Sequence, residues 1–151
     1  MTRNFTHNSN FVFGTDLFNM ETVYNIQECN LPGMSFSHIS TSKRSSNLNF
    51  QGDTITFNDL TVNIIVDEKL NVYKDIISTL LKMRAPYSSE GELIQKNAWI
   101  EIQDDNTNTI LKVNFHNCFI ESVDDLSYST NNEDEIITCS CTIRYDYYTI
   151  S

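Results

Sequence analysis

An apolar–polar alternation of period two runs along most of this chain and confines it to sheets. In Leu60-Thr61-Val62-Asn63-Ile64-Ile65-Val66, the residues Leu60, Val62, Ile64 and Val66 share one face, and Thr61 and Asn63 fall on the other. Ile137, Cys139, Cys141, Ile143 and Tyr145 repeat the pattern, with Thr138, Ser140, Thr142 and Arg144 opposite. Weaker strand signals cover residues 22–29, 34–41, 48–50, 54–57, 98–103 and 110–115. A further short strand, 118–123, is expected after a bulge at His116-Asn117. Turn-like stretches separate them at Asn30-Leu31-Pro32-Gly33, Gln51-Gly52-Asp53, 104–108 and 131–134.

One segment has a different period. Across residues 71–84, Tyr73, Ile76, Ile77, Leu80 and Leu81 recur at three- and four-residue spacing, with Lys74, Asp75, Ser78 and Lys82 opposite. Asn71 fits an N-cap, Lys82 and Arg84 suit the negative end of a helix dipole, and Pro86 stops the helix. The expectation is a mainly β, β-rich α+β domain: an antiparallel barrel or sandwich with one amphipathic helix on the sheet. Tyr73, Ile77, Leu80 and Leu81 are the expected helix–sheet contacts.

At 151 residues the chain matches a single domain, 1–151, with residues 1–19 as an N-terminal arm. Its 20 acidic and 10 basic residues give a net charge of −10, which argues against a clamp that must neutralise phosphates with Lys and Arg. No apolar run approaches the roughly 18–20 residues of a membrane helix, so no membrane partner is expected. The polar start lacks the order of a signal peptide, and the four Cys are therefore expected as free thiols. Between Lys112 and Arg144 no cation interrupts Glu121, Asp124, Asp125, Glu133, Asp134 and Glu135. Such a run is either a set of solvated loop acids or a surface kept negative to repel phosphates.

Active-site chemistry finds little support. His116, Cys118, Cys139 and Cys141 are residue types that suit zinc. Residues i and i+2 on a strand, however, stand about 6.5–7 Å apart, too far for neighbouring ligands. Cys139 and Cys141 also lie on an apolar face, where Cys packs as a small hydrophobe. His7, His38 and His116 sit in no nucleophile–base pattern, and the pairs Asp104-Asp105 and Asp124-Asp125 read as turn acids. Trp99 with Tyr145, Tyr147 and Tyr148 lacks the basic neighbours of a base-stacking platform. No enzyme activity and no cofactor or metal is expected.

The order of motifs, more than any one of them, identifies a relative. Gln27-Glu28-Cys29-Asn30-Leu31-Pro32-Gly33 is followed by a polar Lys43-Arg44 region. Then come Gln51-Gly52-Asp53, Thr56-Phe57-Asn58-Asp59-Leu60-Thr61-Val62, the helix, and a last strand, 138–148, ending in Tyr145-Asp146-Tyr147-Tyr148. From about residue 20 to 148 this succession resembles the tail tube proteins of contractile-tailed bacteriophages, a superfamily that includes baseplate tube initiators and type VI secretion tubes. The arm 1–19 has no counterpart in that pattern.

The resemblance implies a structural virion protein of the phage tail, assembled in the host cytoplasm. Hexameric rings would stack into a tube through which DNA passes without specific binding, with tail sheath and baseplate proteins as partners. Thr41, Ser42, Lys43, Arg44, Ser45, Ser46 and Asn47 would form an inter-ring docking hairpin, and Thr61, Asn63, Ser140 and Thr142 would face the lumen. Within the same fold the alternative is a tube-end ring, either initiator or terminator. A monomeric β-barrel binding module of OB or carbohydrate-binding type is the rival from another class, and a zinc hydrolase is third.

Overall fold

A computed structural model describes residues 5–83, 96–131 and 135–151. The chain begins with β1 (Phe11–Thr15), α1 (Met20–Tyr24), β2 (Ile26–Cys29), β3 (Met34–Lys43), β4 (Ser46–Phe57) and β5 (Leu60–Ile65). It continues with α2 (Asn71–Met83), β6 (Lys96–Gln103), β7 (Thr109–Val123), β8 (Thr138–Arg144) and β9 (Tyr147–Ile150). All strand pairs are antiparallel.

Strand β7 holds the domain together because it belongs to two sheets. Its first half pairs with β6 and β9, its second half with β8, giving the order β1-β6-β7-β8-β5-β2 with β9 attached to β7. The two expected strands at 110–115 and 118–123 are therefore one strand, bent at Asn117, whose φ is +58°. Opposite it the register slips between Lys96 and Ala98, as a bulge requires.

The alternation read from the sequence is the alternation of burial. Leu60, Val62 and Ile64 of β5 and Cys139, Cys141 and Ile143 of β8 are wholly buried, with Phe115 and Ile120 of β7 and Val72 and Ile76 of α2. Gly14 pairs with Trp99 on β6, and its bare α-carbon lets the indole lie directly over β1, where a Cβ would collide with the ring.

Several expectations need correction. Residues 11–18 are not an arm: β1 extends the sheet beside β6, and Phe13, Leu17 and Phe18 enter the core. Residues 22–29 are not one strand, because Asn19 starts α1 by accepting a hydrogen bond from the Thr22 amide at 3.0 Å, and β2 begins only at Ile26. The last strand is two, β8 and β9, parted at Tyr145-Asp146. Gln51-Gly52-Asp53 is a bulge inside β4 rather than a turn, and Gly52 is needed because a Cβ there would lie 2.7 Å from the Ser37 carbonyl oxygen.

The helix α2 is present, but its contact face is rotated from the one expected. Val72 and Ile76 are fully buried, Tyr73 and Leu80 pack half-buried against the core, and Ile77 is half-buried. Leu81 is 56% exposed. The reason is angular: at about 100° per residue, Leu81 lies half a turn round from Val72. Nor does Asn71 cap the helix; it is the first helical residue, and the Asp67 carboxylate accepts from the Val72 amide at 3.2 Å. Arg84, Pro86, Glu133 and Asp134 lie outside the described residues.

Candidate assembly surface

Among the described residues, strands β3 and β4 pair only with each other and form a two-stranded sheet apart from the rest. At ten residues β3 is about 33 Å long, and every one of its residues is exposed. The tip is a two-residue turn, Arg44-Ser45, with Lys43 paired to Ser46 and Arg44 at φ +53°. Thr41, Ser42, Lys43, Arg44, Ser45, Ser46 and Asn47 thus form the end of one projecting hairpin.

Polar residues explain only part of this element. Its cross-strand pairs gather two apolar clusters, Met34 and Phe36 with Ile55 and Phe57 near the root, and Ile39 with Phe50 and Leu48 towards the tip. Ile39 is 59% exposed and Phe50 54%. Alternation places Thr41 and Lys43 on the Ile39 side, so the tip-half apolar face ends in a cation. The period-two pattern of residues 34–57 showed strands, yet nothing local distinguishes an apolar strand in a core from one standing clear of it.

The hairpin root is clamped at both strands. Gly33 and Asn58 close it through an amide-to-carbonyl bond of 3.0 Å. The Tyr145 hydroxyl donates to the Asn58 carbonyl at 2.7 Å, and the Tyr148 hydroxyl donates to the Pro32 carbonyl at 3.0 Å. Their rings meet Phe57 and Phe115 edge-on, with centroids 4.9–6.0 Å apart. Burial, reinforced by the neighbouring Tyr148 and the Asp59 carboxylate, pushes the Tyr145 hydroxyl up to about 12. The Asp-Tyr ending therefore anchors the hairpin.

A second surface is polar. Thr61 pairs with Thr142 and Asn63 with Ser140, which brings the four candidate lumen residues together on the outer face of β5 and β8. All four are half-buried. Glu28 extends this face, accepting from the Asn63 side-chain amide at 3.2 Å. Arg144 bridges Glu121 at 2.9 Å and Asp59 at 3.2 Å, and the Glu121 hydrogen bond followed by the Asp59 charge raises its pKa further.

Three of the four candidate zinc residues are core side chains. Cys118, Cys139 and Cys141 are buried, while the His116 ring stacks on Tyr147 and its Nε2 lies 3.1 Å from the Thr149 hydroxyl. Among the described residues no three His, Cys, Asp or Glu side chains are placed to hold a metal ion. Burial raises all four thiols, Cys29 to about 11 and Cys118 and Cys141 to about 12. Asp104 is a turn acid, accepting from the amides of Asn106 and Asn108 at 2.9 Å each. These bonds, the one from Asn108 foremost, lower its pKa. His7 lies 3.9 Å from the Asp105 carboxylate, both exposed.

In sequence the chain matches no family model and no curated protein. In structure it has clear counterparts. A chain in the cryo-EM structure of the anti-feeding prophage tube-terminating cap superposes with a TM-score of 0.71 at 15% identity, over 100% of this chain and 93% of that one. A chain in the extended sheath/tube terminator of the extracellular contractile injection system PVC gives 0.73 at 13%, over 100% and 99%. The chain has the tube fold of contractile injection systems. A chain of the PVC sheath-tube complex superposes with a TM-score of 0.62 at 15% identity, over 97% and 90%.

Proposed function

We propose that this chain is the subunit of a hexameric ring that stacks into the tube of a contractile tail or injection system. The observation that carries the reading is the hairpin: a long, exposed two-stranded element with six exposed large apolar residues, rigidly clamped at its root. In a lone subunit such a face is a liability, whereas between subunits it is buried. The outer strands β1, β2 and β9 each have one hydrogen-bonded neighbour among the described residues, and ring closure supplies the second. Sheath and baseplate components are the partners this role requires, and a particle tail is its location. The polar face of Thr61, Asn63, Ser140 and Thr142 would line the channel. In a phage tail the cargo is DNA, and a subunit with a net charge of −10 offers phosphates little to hold. The role is structural rather than enzymatic.

A tube-end ring is the second reading, favoured by one observation. The two counterparts with TM-scores of 0.71 and 0.73 are chains of a tube-terminating cap and of a sheath/tube terminator, against 0.62 for the sheath-tube complex. Electron microscopy and sedimentation of the purified protein at micromolar concentration separate the readings. Long polymers are expected; isolated rings would favour the end piece, and a monomer at every concentration would overturn both.

A further inference from the structure

The tip half of the hairpin exposes Ile39, Leu48 and Phe50 beside Lys43 and Arg44, so its complement is an apolar surface rimmed by acids. The same molecule carries a mixed cleft that sets exposed apolar side chains beside acids, with Ser127, Ser129 and Thr138 also on its wall. Between β7 and β8 lies a cleft of about 520 Å³ lined in part by Asp125, Tyr128, Glu135 and Ile136. Tyr128 is 67% exposed and Ile136 74%.

Strand register puts the two features at opposite ends of one sheet. Leu60 pairs with Ile143, so the hairpin, which joins β5 at Asn58-Asp59, is rooted at that end. Ile65 pairs with Thr138, and the Asp124 amide donates to the Ser140 carbonyl at 2.8 Å, so the cleft segment leaves from the other end. A projection at one end and its complement at the other make a heterologous contact, which repeats from copy to copy and does not close on itself.

We infer that the hairpin tip of one copy of this chain seats in the cleft lined by Asp125, Tyr128, Glu135 and Ile136 of a second copy in the adjoining ring. Lys43 and Arg44 face Asp125 and Glu135 there, while Ile39 and Phe50 cover Tyr128 and Ile136. The inference rests on the tube reading and identifies the surface by which one ring holds the next. It also makes the tube polar, since tip and cleft meet in one direction only.

Charge reversal tests the pairing. Lys43→Glu with Arg44→Glu, and separately Asp125→Lys with Glu135→Lys, should each abolish or strongly shorten the tubes seen by electron microscopy. Combining all four substitutions in one chain should restore tube length, because the swapped charges again attract. Circular dichroism and melting of each variant must match the parent; replacing residues 41–47 by a short Gly-Ser turn gives a neutral second route to the same loss. If the parent forms tubes and the reversals leave them unchanged, the contact lies elsewhere and the tube reading stands. Loss without rescue in the fourfold variant would show that the tip meets a different surface. A parent that never polymerises overturns the tube reading itself.

Discussion

Three of the four thiols occupy core positions that an apolar side chain would fill equally well. Cys118, Cys139 and Cys141 are fully buried, and burial raises each thiol, two of them to about 12. In the native protein these three should resist a thiol reagent that labels all four in denaturant; a cysteine missing from the unreduced, denatured count would reveal a disulfide. The same residues set an alkaline limit. Folded pKa values above the unfolded ones mean that the native state keeps its protons longer. Their stabilisation is complete below about pH 9 and drains away as pH rises towards 12, with Tyr145, also raised to about 12, adding to the loss above pH 10. The denaturant midpoint should therefore hold up to about pH 9 and fall steadily beyond it. A midpoint equal at pH 8 and pH 10.5 would refute the linkage. Asp75 is a second residue whose role is set by its neighbours. Its carboxylate accepts from the Asn19 amide at 3.1 Å and the buried Thr22 hydroxyl at 2.9 Å, tying α2 to the start of α1. Asp75→Ala removes both bonds to the carboxylate, leaving the Thr22 hydroxyl only the Asn19 Oδ1 at 3.0 Å, and should cost about 1–3 kcal/mol in denaturant titration, where Lys74→Ala should cost next to nothing.

At the scale of elements, α2 is the clearest case of a pattern that fixes type but not orientation. Apolar spacing at 73, 76, 77, 80 and 81 is compatible with a broad face, and only packing selects the stripe centred on Val72 and Ile76. Ile76→Ala should lower stability by about 2–5 kcal/mol, as deletions of fully buried branched side chains do. Leu81→Ala should change the midpoint little, and a large loss there would mean that the exposed side is covered in the isolated subunit. The hairpin shows the converse. Its strands were legible, but its apolar residues were indistinguishable from core until the sheet to which they do not belong was laid out.

For the whole molecule, the arrangement of projection, cleft and polar face matters more than any single residue. If the proposed channel passes DNA, the subunit should not retain it. Short duplexes at micromolar protein and low salt are expected to show no appreciable binding; salt-sensitive binding would mean that local cations outweigh the net charge of −10.

The alternation of β5 and β8, the helix at 71–83 and the packing role of the cysteines were all determined locally, because side-chain period and burial preference act over a few residues. The same alternation put Thr61 and Asn63, and Ser140 and Thr142, on polar faces of their own strands; their pairing with one another came from the sheet. Tertiary structure alone decided the rest. It recruited residues 11–15 into the sheet, ran β7 through two sheets at a positive-φ Asn117, and turned Tyr145 and Tyr148 onto the hairpin root. The β1–β6 pairs join residues 83 to 91 positions apart, Tyr145 and Tyr148 reach partners 87 and 116 positions away, and the path of β7 depends on which neighbour meets each half. Local periodicity carries no information about any of these, since a strand's pattern is the same whether its apolar side meets its own core or another subunit.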